Sequence, residues 1–461
     1  MSDAEFREDE RSMSDFYMHP AMYRFGEAQP SYWEATSTAD DDMSPLQTRE
    51  SCDVAVVGGG YTGLSAAYHL ARDHSMDVRV LEAGHLGWGA SGRNAGFCCV
   101  GGSALSGEQI LRQFGEADAR DYYASTVAAV RLVDAILTDE GIDAARQGCG
   151  EIEVAHSARA AERLAHQCEA LPRRLGADLR YLSAEEIRDT LFHCTEARGA
   201  KLHRPGFGLH PLRYCRGIAD AARRRGAVVH TNSRVLEWTR DSGLHRLRTE
   251  SGELRARRVV YACNGFMQDH LNNDFFGRFL PVVSAIIVTR PLSTNELEQQ
   301  CWQSADTFST SRRLLNYFRM LPDNRLLFGG RGTSIGDPEG EAAVYRELET
   351  SLARLFPAWR DVAIDYRWHG LVCFSPRLLP AIGTLPDAPD VHFAYAYHGN
   401  GVSEATWSGR QVADWIGTGT APPALPAILR ADPGCFPLAR FRRGWLRAAL
   451  AVARWQDRYL G

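Results

Sequence analysis

The stretch "DVAVVGGGYTGLSAAYHLA", residues 53–71, constrains the fold more than any other part of this chain. An apolar run enters three glycines and passes directly into a helical pattern. Gly58, Gly60 and Gly63 fill the spacing G-x-G-x-x-G, with Gly59, Tyr61 and Thr62 between them. The first glycine allows the tight turn, the second lets backbone approach a pyrophosphate, and the third lets the helix close on the strand. The helix N-terminus then presents free N–H groups to phosphate. A second apolar run, "DVRVLEAG", ends at Glu82, 19 residues beyond Gly63. A carboxylate there accepts hydrogen bonds from a ribose 2′-hydroxyl and disfavours a 2′-phosphate, so NADP is not expected. Strand, helix, strand and acid in register predict a dinucleotide-binding β-α-β unit of roughly 30 residues. Taken alone, the glycines also fit a turn that holds nothing, and the unit does not choose between NAD and FAD.

The next segment, "GWGASGRNAGF" at 87–97, is a second turn of small residues close behind Glu82. It would let backbone approach a ligand extending past the first pyrophosphate; the plainer reading is an ordinary glycine-rich loop. A chain of 461 residues predicts two domains. A net charge of −5 gives no electrostatic case for nucleic acid. The eleven cysteines show no CxxC and no Cys/His metal spacing, which predicts reduced, mostly buried thiols in a cytoplasmic protein and no metal. The N-terminus "MSDAEFREDERSMSDF" has no apolar core of a secretory signal, and no run reaches the length of a membrane span.

Residues 1–50 read as a partly disordered N-terminal arm. Beyond the first unit come helical patterns over about 104–140 and 157–175, a strand at "GEIEVAH", and the capping box Ser183-x-x-Glu186. A hairpin turning at Ser251-Gly252 feeds a long apolar strand, and "LLNYFRMLPDNRLLFGGR" reads as paired strands. "AYHGNGVSEATWSGRQVADWIGTG" opens a helix near Val402, and "FPLARFRRGWLRAALAVARW" reads as a basic amphipathic helix. That last helix is expected to pack on the protein or a partner subunit in preference to an anionic membrane surface.

"DVAVVGGGYTGLSAAYHLA", "LEAGHLGWGASGRNAGF" and "YHGNGVSEATWSGR" resemble the D-amino-acid oxidase superfamily of FAD-dependent amine oxidoreductases. Within it are the glycine and sarcosine oxidases, and the chain most resembles the γ-glutamylputrescine oxidase-like branch. "SYWEAT", "GLHPLRYCRGIADAARRRGA" and "LNYFRMLPDNRLLFGGR" extend the likeness over about 30–420. The resemblance implies an α/β fold: a Rossmann-like FAD-binding domain from discontinuous segments, with an inserted α+β substrate domain on a mostly antiparallel sheet. The expected division is FAD-binding segments at 51–103, 205–270 and 375–420. A helical and substrate-domain segment at 104–204, the substrate domain at 271–374 and a basic extension at 421–461 complete it.

FAD would then lie extended and non-covalently bound. Gly58, Gly59, Gly60, Tyr61, Thr62 and Gly63 would meet the pyrophosphate, and Glu82 with Ala83 the adenosine ribose. Gly89, Ala90, Ser91, Gly92, Arg93, Asn94, Ala95 and Gly96 match the segment running toward the flavin, and Val235 the strand beside the adenine. Cys263, Asn264 and Gly265 would close over the cofactor. Gly399, Asn400, Gly401 and Val402 would bring a helix N-terminus to the flavin, although family members often carry His where this chain has Asn400. Cys373 does not match a cysteine attachment position.

The implied reaction is oxidation of an amine or amino-acid C–N bond to an imine, with O2 or a quinone or other carrier reoxidising the flavin. Tyr317, Arg319, Arg331 and His398 are the candidates facing substrate, an arginine pairing with its carboxylate; for each arginine the plainer role is an internal ion pair or a sheet-edge position. Trp368 and His369 are weaker candidates. A flavin-dependent hydroxy-acid or alcohol dehydrogenase, and a non-catalytic flavoprotein subunit, stand as alternatives.

Overall fold

A computed structural model describes residues 17–38 and 43–459. The elements that build the site are, in chain order, β1 (Arg49–Val57), α1 (Tyr61–His74), β2 (Val78–Leu81), β3 (Glu151–Val154), α2 (Pro211–Arg224), β4 (Val228–His230), β5 (Glu253–Tyr261), β6 (Leu280–Thr289), β7 (Thr307–Thr310), β8 (Tyr317–Met320), β9 (Leu326–Arg331), β10 (Ile364–Phe374), β11 (Ala388–Tyr395), α3 (Gly401–Thr418) and α4 (Arg442–Tyr459).

The first sheet runs β11-β5-β1-β2-β4 with every neighbour parallel, extended antiparallel beyond β11 by Ala381–Leu385. A strand covered on both faces must be apolar throughout, and residues 54–57 of β1 are all buried. For the same reason α1 is buried from Tyr61 to Ala71, with α2 and α3 packed against it. Gly63 makes that close: a Cβ there would lie 2.0 Å from the Gly58 carbonyl oxygen. Gly409 does the same between helices, where a Cβ would lie 2.3 Å from the Thr62 carbonyl oxygen.

The second sheet runs β10-β6-β9-β8-β7-β3 and continues through Gly199–Arg204 and Asp178–Ser183. All its pairings are antiparallel except β7 with β3. One face packs on Pro338–Leu355 and an aromatic cluster around Phe192, Phe308, Phe318 and Phe356; the other packs on Tyr32, Trp33, Ala95 and Leu212. The Ser183–Glu186 capping box forms, and the hairpin turns between Leu244–Arg248 and β5.

Of the N-terminal arm, expected to be partly disordered, residues 1–16 and 39–42 lie outside the described residues. Residues 18–36, however, are built into the core. Met18, Met22 and Tyr23 pack on Val283 and Leu371, and Tyr32 and Trp33 on Ala95, Leu212 and Trp368. The Trp33 indole donates to the Asn94 carbonyl at 2.9 Å. Scattered single aromatics carry no periodicity, so the sequence pattern does not reveal this packing.

Gly409→Ala should therefore destabilise the protein by about 1–3 kcal/mol, because a methyl group there meets backbone that cannot yield. Urea unfolding of the apoprotein reads this directly, and an unchanged midpoint would show that α1 and α3 separate freely.

Candidate functional site

Two long helices begin at one cleft without a side-chain cap from their own N-cap residue: α1 at Gly60 and α3 at Asn400. By contrast, Ser106, Ser157, His210 and Asp337 each cap the long helix that follows them. Uncapped N–H groups leave the positive ends of both helix dipoles directed at the cleft. At α1 the Ser91 hydroxyl shares the work, accepting the Tyr61 N–H at 2.9 Å.

Gly58, Gly59, Gly60, Tyr61 and Thr62 form one wall of this cleft, and Glu82 and Ala83 the next. Gly58 takes a φ of +108°, and a Cβ would lie 2.9 Å from the Ala262 carbonyl oxygen. The Glu82 carboxylate accepts the Gly59 N–H at 2.7 Å and the Gly84 N–H at 3.0 Å. Burial raises its pKa, against the pull of the Gly84, Gly59 and Ala83 N–H groups. Gly89, Ala90, Ser91, Asn94, Val235, Cys263, Asn264, Gly399 and Gly401 complete the predicted lining.

Other predicted cofactor positions lie behind these walls. Gly63, Gly92, Gly96 and Gly265 do not line the cleft; each lies close against a neighbour, Gly92 against the Gly87 carbonyl and Gly265 against Leu371. Their missing side chains set the spacing of the layers instead of admitting a ligand. The Asn264 carboxamide oxygen accepts the Ala396 N–H, tying β5 to β11. Cys373 reaches the cleft as a buried thiol pushed up to about 12 by burial, not as a nucleophilic thiolate.

The cleft residues suit FAD: bare glycine backbone and two helix N-termini for a pyrophosphate, a carboxylate for ribose hydroxyls, apolar walls for rings. Phe25, Trp88 and Phe266 add an aromatic wall that was not foreseen, with Phe25 and Trp88 centroids 4.6 Å apart. Phe25 comes from the arm, so no motif near the glycines could have disclosed it.

A second cavity of about 340 Å³ continues from the cleft, sharing Ala90, Asn94, Leu371, Val372, His398 and Gly399 with it. Arg93, Ala95, Asn400 and Val402 line this second space. Tyr317 and Arg331 reach it from β8 and β9, and Ser284 from β6. The Tyr317 hydroxyl bonds the Ser284 hydroxyl at 2.8 Å, and Ser284 donates to the Gly330 carbonyl. Arg331 has no ion-pair partner among the described residues; burial lowers its pKa, and its guanidinium lies 5.7 Å from the Phe374 ring centroid.

Of the four substrate-facing candidates, Tyr317, Arg331 and His398 border the cavity and Arg319 does not. Arg319 shares the face of β8 with Tyr317, but the cavity ends before it. Its guanidinium is sealed between Gly96 and Gly208 and donates to the Leu209 carbonyl at 2.6 Å. His398 borders both spaces, yet its ring nitrogens are spent: Nδ1 donates to Gly102 O at 2.9 Å and Nε2 accepts the Ser375 N–H at 3.2 Å. Burial lowers its pKa to about 4, so the ring is neutral where it borders the two spaces. Trp368 donates to the Arg93 carbonyl from the core, and His369 pairs with Glu341.

Sequence reasoning missed Glu151, the one carboxylate lining the cavity among the described residues. Burial and the neighbouring Glu153 raise its pKa to about 7, while Lys201, the only lysine of the chain, is held by Glu153 at 2.7 Å. The available signal was "EIEV", two acids at strand spacing between buried aliphatics. Among the described residues no group of side chains could hold a metal ion.

The fold is shared with solved structures of glycine oxidase and L-proline dehydrogenase. It superposes on the crystal structure of glycine oxidase from Geobacillus kaustophilus with a TM-score of 0.71, at 23% identity over 84% of this chain and 100% of that one. L-proline dehydrogenase from P. horikoshii superposes at 0.67, with 20% identity, over 86% of this chain and 99% of that one. In sequence the chain is 32% identical to gamma-glutamylputrescine oxidoreductase of Escherichia coli K12, over 84% of this chain and 88% of that protein. It is 27% identical to glycine oxidase of Bacillus licheniformis, over 80% of this chain and 94% of that protein. Residues 53–415 match the DAO family model, FAD dependent oxidoreductase. The chain belongs to this family, and it is an FAD-dependent enzyme.

Glu82→Gln should weaken FAD binding by about 1–2 kcal/mol, roughly 5- to 30-fold in Kd, since charge-assisted hydrogen bonds become neutral ones. Quenching of FAD fluorescence on titration with apoprotein measures this, and equal affinities would remove Glu82 from the ribose site. A second expectation concerns Glu404, fully buried in the first turn of α3 with neither oxygen partnered and its pKa raised to about 8 by burial. The folded state then holds a proton that the unfolded state releases near 4.5, so stability should fall as pH rises from about 4.5 to about 8 and level off above. Melting temperatures of wild type and Glu404→Gln across that range should converge toward acid; parallel curves would mean that Glu404 is ionised in the fold.

Proposed function

We propose that the enzyme oxidises the C–N bond of a primary or secondary amine or an amino acid to an imine, which water hydrolyses to a carbonyl compound and an amine or ammonia. Arg331 carries this reading: a half-buried cation with no acidic partner among the described residues, bordering a cavity continuous with the FAD cleft. A guanidinium partly withdrawn from water is best met by an anion, and a substrate carboxylate supplies one with matching planar geometry. The relatives named for γ-glutamylputrescine and glycine, both amines, support the same class.

In this reading, segments 51–103, 205–270 and 375–420 hold the cofactor, and 104–204 with 271–374 shape the substrate cavity. Bound FAD supplies the two-electron acceptor for the hydride equivalent leaving the α-carbon. The protein's own work is positional. Arg331 fixes the carboxylate, Tyr317 and Ser284 make a rigid hydroxyl pair on one wall, and the apolar walls exclude water from the reacting carbon. Glu151 is the negative pole that receives the ammonium group or its proton, because its carboxyl titrates near neutrality. The reducing equivalents pass to O2, giving hydrogen peroxide, or to a quinone or carrier protein. All eleven cysteines are unpaired, as a reducing cytoplasm would keep them.

Anaerobic spectra of the holoenzyme with pooled amines, amino acids and alcohols test the class. Bleaching of the flavin bands by an amine pool is expected; bleaching only by alcohols would overturn the proposal. With a carboxylate-bearing substrate so identified, Arg331→Ala should lose about 2–4 kcal/mol of transition-state binding, roughly 30- to 900-fold in kcat/KM. An amine lacking the carboxylate should lose far less, and equal losses for both would make Arg331 a structural cation.

A further inference from the structure

We propose that α4 lies on the surface of a lipid bilayer carrying anionic headgroups, with its outward face embedded at the level of those headgroups. The large hydrophobic side chains that the described fold leaves exposed are Phe276, Leu315, Leu438, Phe441, Trp445, Val452 and Trp455. Five of them lie on α4 or the turn leading into it, with exposures of 52% to 70%. The other two adjoin it: Phe276 lies against Arg442, and Leu315 follows Leu314, whose N–H is bonded by Asp457. Scattered exposed apolar residues need no explanation, but one contiguous patch does.

The helix is held so as to present this face. Its inward side is fixed by Arg442, buried against Asp269 and the Tyr17 ring, and by Leu446 packed on Leu280 and Val282. At the far end the Asp457 carboxylate accepts the N–H groups of Arg313 and Leu314, each at 2.9 Å. Outward, Phe441, Trp445, Ala448, Val452 and Trp455 follow spacings of four, three, four and three, a continuous apolar seam along a helix. Beside the seam, exposed Arg440, Arg447 and Arg454 recur every seven residues and make a second row. Residues 438–457 hold five arginines and one aspartate in a chain of net charge −5.

Aromatic side chains beside an arginine row are the pattern of a helix lying in the membrane plane: the rings favour the headgroup boundary and each cation meets anionic lipid. No described helix is long and apolar enough to cross a bilayer. A second copy of the chain suits the face less well. An 18-residue helix offers a seam about 27 Å long and on the order of 10 Å wide, well below the roughly 800 Å² per partner of a stable dimer. Self-pairing would also bring two arginine rows to one interface.

Co-flotation of the full-length holoenzyme with vesicles tests the assignment. Vesicles of phosphatidylcholine with one quarter phosphatidylglycerol should carry most of the protein, and pure phosphatidylcholine at least tenfold less. Phe441→Ser/Trp445→Ser should reduce flotation at least tenfold while leaving the flavin spectrum unchanged. Arg440→Glu/Arg447→Glu/Arg454→Glu should abolish the preference for anionic lipid. Failure of the wild type to float with anionic vesicles would overturn the proposal. So would a wild-type dimer in size-exclusion chromatography that the double serine variant converts to monomer, which would make this face a subunit interface.

Discussion

The contact on which the site depends is between α1 and α3, segments more than three hundred residues apart in the chain. Gly409 brings α3 against the Thr62 carbonyl, and Gly63 brings α1 against the turn after β1. Because both contacts reach backbone, neither helix can shift without steric conflict or loss of packing. The Ser65 hydroxyl donates to the Thr406 carbonyl at 2.6 Å, and Thr62 bonds Tyr397 at the same distance, fixing rotation as well as separation. Two N-termini aimed at one cleft follow from this packing. Glu82 then completes the first turn by accepting its Gly59 N–H, so a carboxylate that lines the cleft also holds the fold.

What was legible in the sequence is what local backbone chemistry specifies. The glycine spacing, the apolar run of β1 and the acid at the end of β2 each state a constraint within about 30 residues, and the structure joins them in one cleft. Residues contributed by distant segments were harder to read. Phe25 reaches the cleft from the arm and Glu151 reaches the second cavity from β3; neither lies near a motif. His398 was correctly located beside the glycines of α3, but its partners Gly102 and Ser375 come from separate loops and consume its nitrogens. Alternation along a strand names the face of a side chain, not what covers that face, which is why Tyr317 lines the cavity while Arg319 is sealed over by the turn at Gly96.

Arg319 and Arg331 show how burial separates a structural cation from one available to a ligand. Arg319 is 1% exposed and gives an N–H to a backbone carbonyl, with its fork wedged where two glycines leave space. Burial lowers its pKa to about 10, which still leaves it charged at neutral pH beside that carbonyl. Arg331 is only half-buried and borders open volume. Glu151 borders the same volume with the opposite charge tendency, and the chain's single lysine is already committed to Glu153. A ligand offering both an anion and an ammonium group answers both poles; one offering neither leaves a half-buried cation uncompensated.

The cavity and α4 are mechanically related through one loop. Asp457 holds the N–H groups of Arg313 and Leu314, and the next residue, Leu315, is both exposed and part of the cavity lining. Thr310 and Asn316 bracket this loop with a pair of backbone and hydroxyl hydrogen bonds, so it is held as a closed turn between β7 and β8. The position of α4 therefore helps to set the position of Leu315, and with it one edge of the cavity. Tyr317, two residues further on, is fixed independently by Ser284. The cavity thus has one edge tied to the outer helix through Asp457 and one wall, bearing the hydroxyl pair, tied to β6 through Ser284.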